Sequence, residues 1–347
     1  MLNLEGVPPL VAAALNCLYD RTHFAECPPE SFDPLGSGVD DAIRLRFGLP
    51  TLDSWTPGTQ SYQFRRNFLA RPASGAPIRF VKAIPPALAG SRLLTTHTAP
   101  TTPHSWPSQK SSNWSGAYVA PRSGRSIVSV MANWVVPAVT APTGGVATEY
   151  RSSTWIGLDG QRSYKDSTLP QIGTSQFWVT ATGAAIYGSW YQWWARGQHV
   201  PPVPLNLPVS PGDEISAIIT VLDSSTVRFN IKNVSLGLIL QAFDVDAPPG
   251  YTVSGGTAEW IMERPSPLGM DGWTPYELPA YQPFSFTGCI AEAKASADTT
   301  ATPIDLELAR LIRMYEIVQS PRSIRTISSA KKVLTSPQRL ELTYLGN

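Results

Sequence analysis

From Asn113 to the C-terminus the chain is written in short runs that alternate apolar and polar residues, and this rhythm restricts the fold more than any other feature of the sequence. SIVSVMANWVVP, SQFWVTATG, EISAIITVLD and TVRFNIKNV are separated by clusters of Gly, Pro, Asp and Ser. A strand sends successive side chains to opposite faces, whereas a helix needs apolar residues three and four apart. No long segment of helical period appears before the C-terminal tail, so the expected class is all-β, a two-sheet antiparallel β-sandwich. The tail from Ala309, through LIRMYEIVQ, RTISSAKKVL and RLELTYL, is also alternating and β-branched, and predicts further strands. No repeat of solenoid or propeller length is present.

The first part of the chain reads differently. It mixes a helix-like stretch, DDAIRLRFGLP, with proline-broken segments and the basic run QFRRNFLARP. LLTTHTAPTTPHSWPSQKSS, between Leu93 and Ser112, is rich in Thr, Pro and Ser, as an exposed connector is. The expected organisation is therefore a propeptide-like N-terminal segment and linker over residues 1–110, and a sandwich domain over residues 111–347. Arg44, Arg46, Arg65 and Arg66 make the N-terminal part locally basic, which suggests a clamp on an acidic groove of the domain, released by acid, with cleavage in the connector.

Charge excludes several classes. With 27 basic and 26 acidic residues the formal net charge is +1, too little field to hold a nucleic-acid backbone or an anionic membrane. No apolar run reaches the length of a membrane span. A monomer with neither nucleic acid nor membrane as partner is expected. The opening MLNLEGVPPLVAAALNCLYDR has an apolar run with no basic residue before it, a poor secretory signal; secretion is nonetheless the expected location. Cys17, Cys27 and Cys289 form no CxxC pair and read as unpaired thiols, with a Cys17 to Cys27 bridge as the alternative.

Hydrolytic machinery built on imidazole is also excluded. From Asn113 onward the only histidine is His199, read as a loop residue without co-ligands. There is no GxSxG elbow, no HExxH pair, no Gly-rich phosphate loop and no Asp-Thr-Gly or Asp-Ser-Gly pair. Catalytic groups, if present, have to be carboxylates, amides, hydroxyls or tyrosines.

Six strings occur in order along the domain: NWSGAYV at Asn113, NWVVP at Asn133, TWIGLDG at Thr154, LPQIGT at Leu169, YGSWYQWW at Tyr187 and GTAEWIMERP at Gly256. Together they resemble the eqolisin, or glutamic peptidase, family of acid proteases. PPESFDPLGSGVDDAIRLRFGLP resembles a segment that precedes the peptidase domain in relatives. The resemblance implies polypeptide substrates and a jelly-roll, concanavalin-like sandwich with its site in a groove on a concave face. It implies that Glu259 of TAEW and Gln171 of LPQIG hold a catalytic water, that Trp155 and Asp159 line and brace the site, and that no metal or organic cofactor takes part. Several relatives carry a glutamate where YQWW has Gln192, and acidic residues where this chain has Thr174 and Ser175, so a less acidic site is implied here.

The chemistry of such a pair is coherent in its own right. One glutamate serves as base when ionised and as acid when protonated, while an amide orients water and donates to an oxyanion. Alternation in TAEWIM places Glu259 on one sheet face and Ala258 and Trp260 on the other. YGSWYQWW mixes both faces, part core packing and part stacking floor for an extended substrate; Tyr187, Gln192 and Trp194 are the candidates for the floor. The bland alternatives are a solvent-facing glutamate at 259, turn residues at 171 and 159, and a lectin-like sandwich that binds sugars or peptides without chemistry. A glycoside hydrolase needs a second carboxylate across the bond, and Glu263 offers Glu259 no obvious partner of that kind.

Overall fold

The computed structural model describes residues 7–73, 75–83, 95–96, 108–122, 124–161, 168–198, 200–267, 275–319, 322–335 and 337–346. The twelve described strands of six or more residues build the two layers, numbered here in chain order: β1 Trp114–Val119, β2 Ser126–Val135, β3 Glu149–Leu158, β4 Thr168–Val179, β5 Ala184–Ala195, β6 Glu214–Val221, β7 Thr226–Asn233, β8 Ala258–Glu263, β9 Phe284–Lys294, β10 Arg310–Gln319, β11 Arg322–Val333 and β12 Arg339–Tyr344. Hydrogen-bonded neighbours run β5-β4-β3-β8-β1-β10 in the first sheet. The second runs β11-β12-β9-β2-β6-β7. The long β10/β11 hairpin joins the two, so one ladder folds over itself into a sandwich. The strands expected in the C-terminal tail are β10, β11 and β12.

Alternation decides what lies between the sheets. Ala258, Trp260 and Met262 of β8 join Ile156 and Leu158 of β3, Ile172 of β4, and Tyr191 and Trp193 of β5 in the central core. Their facing partners include Val130, Ala132 and Trp134 of β2 and Ala217 and Ile219 of β6. Trp260 Nε1 donates to Met131 O across the layers at 3.1 Å, giving the buried indole its polar partner.

The N-terminal residues form three helices: α1 Pro9–Tyr19, α2 Asp41–Arg46 and α3 Gln60–Leu69. The helix-like DDAIRLRF stretch is α2, capped where Asp40 accepts from Ile43 N at 2.9 Å, with Asp41 in its first turn and Arg44 and Arg46 in its last. Thr59 caps α3 by accepting from Tyr62 N. Helices α2 and α3 rest on the outward face of the second sheet, where Phe64, Phe68 and Leu69 meet Met131, Ile218 and Ile290, whereas Val11, Leu15 and Leu18 of α1 join the central core and Thr22 Oγ1 meets the Tyr191 hydroxyl of β5 at 2.8 Å.

The basic clamp read from the sequence is not what these arginines do. Arg44 binds Asp41 and Asp53, Arg46 binds Glu26, and Arg65 is paired with Glu292 of the second sheet. These three charges are satisfied locally or on the second sheet, and Arg66 is exposed on α3. Cys17, Cys27 and Cys289 are all unpaired. Among the described residues no helix is long and apolar enough to cross a membrane. His199 lies outside the described residues, as does most of the Leu93 to Ser112 connector.

Candidate active site

The outward face of the first sheet carries the site. In-register pairing lines up Gln192, Gln171, Gly157, Glu259 and Tyr118 across five adjacent strands, β5, β4, β3, β8 and β1. Residues directly opposite one another on paired strands share a face. Glu259 and Gln171 therefore project to the same side, separated by one strand whose residue at that level has no side chain. Two inter-strand steps set their Cα atoms about 9.5 Å apart, room for the two side chains to converge on a small molecule.

The next row on this face is Trp190, Gly173, Trp155, Ile261 and Gly116. Here the motif glycines find their reason. A Cβ on Gly173 would lie 2.5 Å from Trp155 Cβ, and one on Gly157 would lie 2.9 Å from Trp155 Cζ3. The indole occupies the space that those side chains would fill. It also meets Trp114 edge-on, with ring centroids 4.9 Å apart at 78°. Trp155 Nε1 donates to Glu263 Oε2 at 2.9 Å, and Asn113 Nδ2 donates to Glu263 Oε1 at 3.4 Å. Glu263 thus has partners that sequence reasoning did not supply, although its position two and four residues from Ile261 and Glu259 already put it on their face. At about 13 Å from Glu259 along an extended strand, it lies outside the carboxylate separation of glycoside hydrolases.

Asp159 follows β3 with φ of 64°, the one described non-glycine residue in the left-handed region. Aspartate tolerates that backbone better than most residues. Its carboxylate accepts from Ser254 N at 2.6 Å, Ser254 Oγ at 2.8 Å, Gly255 N at 3.2 Å and Gly256 N at 2.6 Å. Asp159 N donates to Thr257 O at 3.0 Å. One side chain therefore ties down the turn that leads into β8 and fixes where Glu259 begins its strand. Burial pushes the Asp159 carboxyl up, and the donated hydrogen bonds oppose that rise.

Glu259 is fully buried, and among the described residues neither carboxylate oxygen makes a well-aligned hydrogen bond. Desolvation raises its pKa well above the usual carboxylate range; the Asp159 charge adds to the rise, and the Thr257 side chain and Gly160 N moderate it. Gln171 and Gln192 are equally buried, and Gln171 Nε2 donates to Gln192 Oε1 at 3.0 Å. Gln192 Nε2 in turn donates to Val200 O. This chain orients both amides.

The YGSWYQWW string divides by parity. Trp190, Gln192 and Trp194 lie on the Glu259 face, and Trp190 and Trp194 pack with Trp114, Tyr118, Trp155, Leu169 and Ile261. Tyr187 does not join them. It is an odd number of residues from Gln192, so the pleat turns it to the inter-sheet side, where it packs on the central core and its hydroxyl accepts from Val139 N. Its expected place on the substrate floor is corrected accordingly.

A sandwich whose carboxylate and amide share one sheet face, with no histidine among its described site residues, defines a glutamic-type peptidase architecture. The peptidase A4 family model matches residues 112–334, and the chain belongs to that family, the eqolisins. It is a glutamic-type endopeptidase, which sets aside a purely binding, lectin-like sandwich. Two solved structures share the fold: scytalido-glutamic peptidase with a transition-state analog inhibitor, at 17% identity over 67% of this chain and 98% of that chain with a TM-score of 0.51, and SCP-B of the eqolisin family with the tripeptide Ala-Ile-His, at 17% identity over the same shares with a TM-score of 0.50. No curated protein sequence matches the chain.

Proposed function

We propose that Glu259 and Gln171 hydrolyse the peptide bond through a water held between them, opposite Gly157. Ionised Glu259 takes a proton from water as the oxygen attacks the scissile carbonyl carbon. The developing oxyanion receives a hydrogen bond from Gln171 Nε2. An amide nitrogen carries two hydrogens; one fixes the amide plane on Gln192, and the other is the donor assigned here to the oxyanion. Protonated Glu259 then gives its proton to the leaving nitrogen as the C–N bond breaks, without a covalent intermediate.

The observation that carries this reading is the single cross-strand row containing both residues, with Glu259 buried and its pKa raised. A raised pKa moves the acid half of the cycle toward milder pH than a solvated glutamate permits. Trp155, Trp190 and Trp194 furnish the apolar walls for an extended polypeptide. A secreted monomer without metal or cofactor is the form that accompanies this reading, supported by family membership.

The test is digestion of a denatured protein from pH 3 to pH 7, a window that takes in the raised ionisation of Glu259, with fragments read by mass spectrometry. Glu259→Ala is expected to abolish cleavage, and Gln171→Ala to lower kcat by about 100- to 1,000-fold. Wild-type rates in Glu259→Ala would overturn the assignment.

A further inference from the structure

We infer that the N-terminal residues 7–83 are a permanent structural layer of the sandwich, so that cutting the connector yields a two-chain molecule and does not release a propeptide. Helix α1 packs on the central core, and helices α2 and α3 cover the outward face of the second sheet, opposite the catalytic face. They do so through polar contacts that the second sheet cannot replace by itself.

Three polar residues on the outward face of that sheet depend on this layer. Glu292 of β9 is fully buried and receives both Arg65 nitrogens of α3, at 2.8 and 2.6 Å, while Arg65 is itself buried and stacks 3.8 Å over the Trp55 ring. Lys232 of β7 is 1% exposed and donates to Phe68 O at 2.8 Å and Ala70 O at 2.6 Å, the carbonyls at the C-terminus of α3. Burial pushes the Lys232 pKa down to about 8, which still leaves an ammonium at acid pH. Asn230, also of β7, donates to Gly48 O at 2.9 Å. A buried charge stripped of its partner is among the costliest defects a fold can carry.

Backbone and shape complementarity agree with this. Thr22–Phe24 adds an antiparallel strand to Phe243–Asp246, and Arg79–Val81 adds a parallel strand to Leu238–Leu240, so the N-terminal part contributes to the sheet itself. Phe64 sits over Gly288, at a register shift in β9, where a Cβ would come within 2.8 Å of its ring. Gly48 packs so closely on Ala242 that a Cβ would stand 2.7 Å from the Ala242 methyl. Met131, Ile218, Ile239 and Ile290 are buried in the same cluster and would face water without the layer. A segment built for removal has no need to complete a sheet, fill a glycine notch and neutralise two buried charges.

The experiment inserts a site-specific protease sequence into the full chain between residues 97 and 107, cuts it to completion as judged by intact mass, and runs it on a sizing column at pH 4 and pH 7. Both pieces are expected in one peak at the full-length position at both pH values. The same cut in Arg65→Ala, which leaves Glu292 buried without its cation, is expected to free the N-terminal piece. Release of that piece from the cut wild type, with the remainder keeping its Tm, would overturn the inference. A measurement on the intact wild-type chain needs no variant: amide exchange in Leu238–Leu240 and α3 is expected to be as slow as in β8. Exchange more than about 100-fold faster in both segments, marking a unit that opens separately from the sandwich, would equally overturn it.

Discussion

Glu259 and Gln171 pair with the same residue, Gly157, from its two sides, so the carboxylate and the amide are held apart by a strand that offers no side chain at their level. The gap is a property of three strands in register and involves no loop. It is therefore as rigid as the sheet, and its width is set by inter-strand spacing.

The first prediction concerns that gap. In Gly157→Ala the new methyl would meet Leu169 Cδ1 at 2.8 Å and Trp155 Cζ3 at 2.9 Å, both packed side chains. Overpacking is expected to cost about 1 to 3 kcal/mol in urea unfolding. Displacement of Trp155 and of the space between the pair is expected to lower kcat/KM by about 100-fold in protein that is still folded. A variant as active as wild type would show that the gap is wider than the reaction requires.

The second prediction is a pH dependence of stability with a defined sign. The folded-state pKa of Glu259 is raised by burial, so its contribution is fully present below the unfolded value near 4.5 and is lost as pH rises through the folded value. Between those limits the loss is about 1.4 kcal/mol per pH unit. Glu259→Gln, neutral at every pH, is expected to match wild type near pH 4 and to melt at a higher temperature than wild type at pH 7. Parallel Tm curves for the two proteins across that window would contradict it.

The third prediction tests the Trp155 anchor. Glu263→Ala removes the acceptor of both Trp155 Nε1 and Asn113 Nδ2 in a fully buried place. Two stranded donors are expected to cost about 2 to 5 kcal/mol, read by denaturant unfolding, with KM rising more than kcat falls. Glu263→Gln keeps an acceptor oxygen and is expected to recover at least half of the loss.

How much of this was legible beforehand depends on distance along the chain. Period-2 alternation separates Glu259 from Ala258 and Trp260 using neighbours alone, and the same counting separates Tyr187 from Gln192 and Trp194. Tyr187 departs from its expected place because the aromatic string carries both faces, which only residue-by-residue counting separates. Asp159 reads as a turn residue because its four acceptor contacts come from residues 254–256, which only the fold brings near. The Arg65 to Glu292 pair spans 227 positions with no local pattern at either end, so the basic residues invited a groove clamp that the structure does not contain. Glu263 was visible as a same-face carboxylate, but its indole partner lies on another strand.

The fourth prediction concerns how substrate reaches the pair. Glu259, Gln171 and Gln192 have no exposure in the intact chain, so the arrangement described here is closed to a polypeptide. Thr95–Thr96 of the connector pairs antiparallel with Ser266–Pro267, three residues beyond the end of β8. That pairing ties the connector to the first sheet, while α3, which precedes it, is docked on the second. A cut C-terminal to Thr96 leaves that pairing joined to the N-terminal layer but parts it from β1, so the pairing is held from one end instead of two. Cutting between residues 97 and 107 is accordingly expected to raise kcat/KM for a denatured protein by at least about tenfold, a shift of about 1.4 kcal/mol in the open population, with little change in Tm. The check is a side-by-side assay of cut and uncut chain at pH 4. Equal turnover would mean that the cleft opens with the connector intact, and that the Thr95–Thr96 pairing places the connector without restraining the site.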